Sequence, residues 1–329
     1  MKTIRWGIIG TGGIAHRFAE ACNNTPNVTL AAVASRSMET ANAFADEFQI
    51  GHRFGSYASM AESDAVDAIY IGVPHGLHAE CALLCMQNGK GVLCEKPITL
   101  NTRELEGLVA ASRKYNVFLM EAMWARVVPG TKRLIDYISG GALGEVLGVQ
   151  GSFCYTMDED EMGHHVFKPA YGGGSLLDVG CYALSFASWY MKGEPAGISA
   201  MANVGEQQVD LHTCVLMKYG NGAIADLSSA IMLRKPNEGY IFGEKGYIYC
   251  RRFYAPQEYE IYLHGQEKQT VTCPFYGNGF EEQIMEASDC IRAGLTQSPL
   301  IPHAQSLLIM KQMDEIRRKI GVVYPADAR

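Results

Sequence analysis

The chain has 329 residues, 48% apolar and 19% charged, with a formal net charge of −7. That length supplies two ordinary domains and a large core. The acidic balance excludes nucleic acid as the main partner, because phosphate binding needs a basic face, but it leaves room for a small anion held by a few local cations.

Met1-Lys2-Thr3-Ile4-Arg5-Trp6 leads straight into a strand pattern and leaves no space for a signal peptide. No apolar run approaches the ~20 residues needed to cross a bilayer, so no membrane partner is expected. The ten cysteines form no C-x-x-C pair and mostly sit in apolar stretches. Reduced, buried thiols in a cytoplasmic protein fit that pattern.

In chain order, Ile4–Ile9 reads as a strand, Gly13–Asn23 as a helix, Val28–Ala34 as a strand and Met38–Phe48 as a helix. Strand Ala65–Val73, closed by Pro74, precedes helix Leu77–Gln87. Strand Gly91–Cys94, helix Thr102–Tyr115 with Asn101 as its cap, and strand Val117–Met120 complete the alternation. This predicts a Rossmann-type doubly wound parallel sheet over residues 1–122. After a helix at Thr131–Ile138, strands dominate: Val146–Tyr155, Ile198–Val204, His212–Lys218, Ala223–Ile231, Tyr247–Cys250 and Glu258–Leu263. Helices are expected at Ser175–Tyr190, Phe280–Ala293 and Ala304–Ile320. Residues 123–329 therefore read as an α+β domain with a large, mostly antiparallel open sheet. Tyr219-Gly220-Asn221-Gly222 is a hairpin signal within it. The overall class is α/β.

Gly10-Thr11-Gly12-Gly13-Ile14-Ala15 matches G-x-G-x-x-A at Gly10, Gly12 and Ala15, in the strand–turn–helix context that a dinucleotide site requires. Gly10 permits the turn and Gly12 lets backbone approach a pyrophosphate. The segment Gly10, Thr11, Gly12, Gly13 and Ile14 is the candidate cradle, with a helix N-terminus behind it. At the end of the second strand, where an acidic residue binds the ribose of NAD, the chain carries Ser35-Arg36-Ser37 and no carboxylate before Glu39. A guanidinium flanked by hydroxyls suits a 2′-phosphate, so NADP is expected rather than NAD.

Glu95-Lys96-Pro97 follows the apolar run Gly91–Cys94. Pro97 has no N–H and stops the strand, which leaves Lys96 at the C-terminal edge where ligands of such sheets bind. In the second domain, Gly172-Gly173-Gly174-Ser175-Leu176-Leu177-Asp178-Val179-Gly180-Cys181-Tyr182 places Asp178 and Tyr182 four apart, on one face if the segment is helical. The glycines before them would let that helix start approach a ligand.

These motifs and their order resemble the glucose-fructose oxidoreductase / inositol dehydrogenase / rhizopine-catabolism (Gfo/Idh/MocA) family over essentially the whole chain. The segments Val92–Pro97, Glu121–Arg126 and Leu177–Tyr182 are most similar to its dimeric dihydrodiol dehydrogenase and NADP-dependent D-xylose 1-dehydrogenase branch. Many members carry His at the position of Tyr182. The resemblance implies an NAD(P)-dependent oxidoreductase acting on a sugar, polyol or cyclic diol, and a homodimer formed through the second sheet. It implies that Lys96 binds the reacting oxygen, that Tyr182 is the acid/base and that Asp178 orients substrate. A hydroxyl losing hydride from its carbon must also lose a proton. Free Tyr and Lys both titrate near ~10, so a cation beside a phenol, which stabilises the phenolate, is needed. Whether Tyr182 or Lys96 carries that proton stays open.

The resemblance also lays Val73, Pro74 and His78 along the cofactor, and Glu95 beside it. His75, His78 and Cys81 have the spacing of metal ligands but lack a fourth, so no metal is expected. Trp124 and Arg126 follow the fifth strand, where Arg126 reaches a cofactor phosphate or substrate hydroxyl, or else forms an interdomain ion pair. Tyr171 and Tyr276 are candidates for the substrate pocket. His164 and His165 follow the acidic run Asp158, Glu159, Asp160, Glu161, which covers the site or is simply solvated. The rival readings are a non-catalytic NADP-binding sensor, disfavoured by Lys96, Asp178 and Tyr182 together, and a reductase of another carbonyl substrate.

Overall fold

The computed structural model describes residues 1–157 and 164–328, so the acidic run Asp158–Glu161 lies outside the described residues. The chain forms two compact units, Met1–Val127 with Tyr276–Leu307, and Val128–Phe275 with Leu308–Arg329. The chain passes from one unit to the other three times, after Val127, Phe275 and Leu307.

In the first unit six strands lie in one sheet: β1 (Ile4–Ile9), β2 (Val28–Ala34), β3 (His52–Phe54), β4 (Ala68–Ile71), β5 (Gly91–Glu95) and β6 (Leu119–Ala122). All pairs are parallel, in the order β3-β2-β1-β4-β5-β6. The order reverses between β1 and β4, which puts the ligand crevice at their C-terminal ends. β4 and β5 are buried along their whole length, as apolar strands covered on both faces must be. The crossovers are α1 (Gly13–Asn24), α2 (Met38–Phe48), α3 (Tyr57–Ala61), α4 (His78–Gln87) and α5 (Thr102–Tyr115). Ser37, Ser56 and Asn101 cap α2, α3 and α5, each accepting the N–H three residues on.

β3 and α3 were not expected. His52-Arg53-Phe54 is a short, polar edge strand with no apolar alternation, and α3 has only five residues. Asp67, inside the longer strand expected at Ala65–Val73, instead turns its carboxylate to Arg5 and shortens that strand to Ala68–Ile71.

The returning segment adds α8 (Glu281–Arg292) and the start of α9 (His303–Ile320). Trp6 Nε1 donates to Ser288 Oγ at 3.0 Å, Leu119 N–H to the Thr296 carbonyl at 3.0 Å, and the Ser306 hydroxyl to Glu121.

Among its described residues the second unit has eight strands: β7 (Val146–Cys154), β8 (Pro195–Val204), β9 (Asp210–Tyr219), β10 (Ile224–Ala230), β11 (Gly239–Gly243), β12 (Gly246–Cys250), β13 (Glu258–Leu263) and β14 (Gln269–Thr272). Their order is β14-β13-β12-β11-β7-β10-β9-β8, antiparallel except for the parallel pair β7·β10. One face packs on α7 (Cys181–Tyr190) through residues such as Leu227, Phe186 and Phe253. The other face leaves Leu147, Met201, Leu216, Ile224 and Phe242 exposed.

Asp67 joins the start of β4 to β1. Its carboxylate accepts from the Arg5 N–H, Nε and Nη2 at 2.9–3.1 Å. Desolvation pushes the acid up, but the hydrogen bonds and charge of Arg5 outweigh it and hold it down to about 2. The folded value lies below the ordinary 3.8, so the stabilisation is complete above that pH and lost as pH falls toward 2. Urea unfolding should therefore show wild type more stable than Asp67→Asn at pH 6, with the difference gone at pH 2.

Candidate active site

The glycine turn follows β1. Gly10 has φ +102°, and a Cβ there would lie 2.5 Å from the Gly72 carbonyl oxygen, so only glycine fits. Around Gly12 and Gly13 a Cβ would meet nothing within 4 Å, so the backbone faces open space. Helix α1 has no side-chain cap and no acidic residue in its first turn. Thr11 is half-buried and Ile14 exposed, while Ala15 is buried against the sheet. An anion can therefore approach an uncapped helix N-terminus.

At the tip of β2, Arg36 is exposed. Ser37 is occupied as the cap of α2, and the Ser35 hydroxyl accepts from Thr40 Oγ1 at 2.6 Å. Val73 and Pro74, at the end of β4, are half-buried. His78 is wholly buried and directs both ring nitrogens at backbone carbonyls.

Lys96 stands at the end of β5 between two buried carboxylates. Glu95 accepts from the Tyr70 hydroxyl at 2.6 Å and from the Lys96 N–H at 3.2 Å. Glu121 accepts from the Ile98 N–H at 3.1 Å and from Ser306. Burial raises both acids, and those hydrogen bonds together with the Lys96 charge pull them partly back. Beyond β6, Trp124 and Arg126 lie in a short 3₁₀ turn, Trp124 buried and Arg126 half-buried. The Arg17 guanidinium lies 4.7 Å from the Trp124 ring and 4.5 Å from that of Phe280.

In the second unit, Asp178 lies in a π-helical turn, Leu176–Gly180, rather than in a continuous α-helix. The Cys181 N–H reaches the Leu176 carbonyl, and α7 begins there with Tyr182 in its first turn. The Asp178 carboxylate accepts from the Tyr155 hydroxyl at 2.6 Å. Tyr182 is 7% exposed, with its ring 5.4 Å from that of Phe153 and 6.1 Å from that of Tyr254. Tyr155 was not singled out in the sequence, although Val149, Gly151, Phe153 and Tyr155 continue one alternation along and beyond β7.

The turn is held from below. Asp210, fully buried, accepts from the Ser175 hydroxyl, the Leu176 N–H and the Thr213 hydroxyl at 2.7–2.8 Å. Gly174, φ +112°, passes so close that a Cβ would lie 2.2 Å from Asp210 Oδ1. A Cβ on Gly173 would lie 2.4 Å from the Val166 carbonyl oxygen. Packing alone thus accounts for these two glycines, which had been read as clearance for a ligand. Tyr171 is half-buried in a 3₁₀ turn that ends at Gly172, and Tyr276 is exposed. The His164 and His165 rings lie 4.0 Å apart, tilted at 41°.

A cavity of about 700 Å³ opens at the opposite, N-terminal edge of the first sheet, lined by Lys2, Arg5, Asp67 and Lys90 among others. Its charges already serve structure: Arg5 and Lys2 pair with Asp67, and Lys90 donates to the Ser63 and Val66 carbonyls. Within this unit, Gly10, Arg36 and Lys96 lie at the other edge.

Residues 4–123 match the oxidoreductase family with an NAD-binding Rossmann fold, and residues 131–249 the GFO/IDH/MocA C-terminal domain. The chain belongs to the Gfo/Idh/MocA oxidoreductase family. It is 35% identical over 335 residues to trans-1,2-dihydrobenzene-1,2-diol dehydrogenase of Xenopus laevis, covering 98% of this chain and 99% of that one. The Homo sapiens protein of the same name is 31% identical over 340 residues, covering 99% of each. A 3-ketoreductase from Actinomadura kijaniata, solved with NADP and TDP-benzene, superposes with a TM-score of 0.87 at 25% identity, over 97% of this chain and 98% of that one. An aldose-aldose oxidoreductase from Caulobacter crescentus shares the fold, with a TM-score of 0.89 at 24% identity, covering 100% and 99% of the two chains.

The Gfo/Idh/MocA chain offers its uncapped α1 terminus and open glycine backbone to a dinucleotide, and these features fit a pyrophosphate. Gly10→Ala should strain the turn against the Gly72 carbonyl and weaken NAD(P)H binding about tenfold or more, read by fluorescence titration with each cofactor.

Proposed function

We propose that this protein is an NADP-dependent dehydrogenase whose substrate is a sugar, polyol or cyclic diol, with the reverse reduction also available to it. The observation that carries the reading is the Tyr155–Asp178 pair beside Tyr182, in a chain 35% identical to a dihydrodiol dehydrogenase. Tyr155 donates to Asp178, which stabilises the carboxylate as an anion able to accept a substrate hydroxyl. Tyr182 exchanges the proton of the reacting hydroxyl. Lys96 donates to the reacting oxygen, and its positive charge favours both an alkoxide-like transition state and a tyrosinate. NADP, when bound at the glycine turn, would supply the hydride acceptor.

Arg36 supports NADP, since it is exposed at the β2 tip and no carboxylate precedes Glu39. Val73, Pro74, Glu95, Trp124 and Arg126 are assigned to the cofactor side, and Tyr171 to the substrate. The ten cysteines are free thiols, nine of them buried, which supports a reducing, cytoplasmic setting.

NADP-linked turnover of a panel of sugars and diols tests the reading. Tyr182→Phe and Lys96→Ala should each lower kcat about 10²–10⁴-fold with NADPH binding retained. Arg36→Ala should raise KM for NADPH about tenfold or more and leave that for NADH unchanged. Tight NADPH binding with no turnover on any member of the panel would mark a sensor instead.

The exposed face of the second sheet carries Leu147, Met201, Leu216, Ile224 and Phe242, with the Tyr247 and Tyr262 rings stacked at 4.6 Å. Exposed apolar side chains spread over one sheet face in this way call for a cover. The assigned cover is the same face of a second copy, in a homodimer. Light scattering should give twice the chain mass, and Leu216→Asp should shift it toward the monomer.

A further inference from the structure

His78 opens α4 and has no solvent exposure. Its Nδ1 lies 2.8 Å from the Pro97 carbonyl oxygen and its Nε2 2.8 Å from the Val73 carbonyl oxygen. Both partners can only accept hydrogen bonds. A neutral imidazole carries one N–H, so its bare nitrogen would face a carbonyl lone pair to lone pair at hydrogen-bonding distance, with no water to intervene. We propose that His78 is held as an imidazolium that donates from both nitrogens, and that it fastens the turn after β4 to the turn after β5 that carries Lys96. The two carbonyls belong to two neighbouring strand ends at the crevice edge. A cation between them sets the spacing of those ends, and so the place from which Lys96 projects.

A buried cation needs negative charge nearby. The charged and titratable groups on the neighbouring segments are Tyr70 on β4, His75, whose ring centroid is 5.6 Å away, Glu80, Cys81 and Cys85 on α4, Cys94, Glu95 and Lys96 around the end of β5, Glu121 on β6, and Arg17 on α1, whose charge acts on Glu95. Burial raises all three thiols, so they contribute no charge. Glu95 and Glu121 are the buried acids of this set, Glu80 is exposed, and Lys96 and Arg17 are the other cations in it. His78 is thus a positioning residue. It acts on Lys96 through the backbone, in place of the cofactor contact that the sequence suggested.

This rests on the proposed role of Lys96, but its first test needs no activity. In the full chain labelled with ¹⁵N-histidine, with the His78 signals assigned by their loss in His78→Gln, both ring nitrogens should carry slowly exchanging protons from pH 6 to pH 8. One unprotonated nitrogen at pH 7 overturns the proposal. The fastening is read from the Ile98 amide, which donates to Glu121 just beyond Pro97. In His78→Gln its hydrogen exchange should speed up about tenfold or more, with the β1 amides unchanged and kcat reduced. Unchanged Ile98 exchange overturns the fastening. If the wild type turns over no sugar or diol, the proposed function fails while both of these readouts still decide the role of His78. If His78→Gln does not fold, the wild-type ring signals, assigned through the unaffected histidine variants, decide the charge state.

Discussion

Removing a carboxylate from water costs several kcal/mol unless hydrogen bonds and opposite charge replace the solvent. Among the described residues four acids are buried, and three of them, Glu95, Glu121 and Asp210, take their hydrogen bonds from segments that border the glycine turn, the Lys96 turn and the π-helical turn. Glu95 takes the Tyr70 hydroxyl, and Tyr70 stacks on Phe18 at 3.9 Å, so the tip of β5 is tied to the packing beneath the glycine turn. Glu121 takes the Ile98 N–H and the Ser306 hydroxyl, which pins the chain just after Lys96-Pro97 to the returning helix. Asp210 takes two hydroxyls and the Leu176 N–H at the entrance of the π-helical turn. Losing one such partner strands a buried acid, at about 1–3 kcal/mol each, so these segments have little freedom to move separately from their acids.

Much of the first sheet was legible because its central strands are uniformly apolar and its turns are marked by Gly, Pro and cap residues. What escaped was short or polar, such as β3 with His52-Arg53-Phe54, and β14 with Gln269–Thr272 mostly exposed. β11 begins and ends in glycine, which reads as loop. Interleaving of the two units also escaped. An amphipathic pattern shows that α8 has a buried face, but the sheet it docks on is settled by single bonds such as Trp6 to Ser288.

The site residues divide in the same way. Gly10 could be read because its constraint is local and steric. Lys96 could be placed at a strand end because Pro97 is its neighbour in sequence. His78 was noticed, but its surroundings were not legible, since its two carbonyl partners sit five residues before it and nineteen after it. Tyr155 is a similar case: its partner Asp178 is 23 positions away, across a loop that periodicity does not bridge.

The π-helical turn explains why the Asp178–Tyr182 spacing is not the simple one-face pair of an α-helix. An i→i+5 turn inserts one residue into the ladder, so Asp178 and Tyr182 are not stacked one regular turn apart. Asp178 is instead met by Tyr155 from the strand side, while Tyr182 packs among Phe153 and Tyr254. The two groups thereby acquire different surroundings: a carboxylate that accepts a hydrogen bond from a tyrosine hydroxyl, and a phenol walled by aromatic rings. Separate environments are what distinct orienting and proton-transfer roles require of two groups so close in sequence. Such a turn has poorer hydrogen bonding than an α-helix and persists only where its surroundings hold it. Gly180, where a Cβ would lie 3.0 Å from Ser229 Oγ, admits the turn to β10, and Asp210 holds its entrance. The buried acid is thus the structural condition for the placement of Asp178.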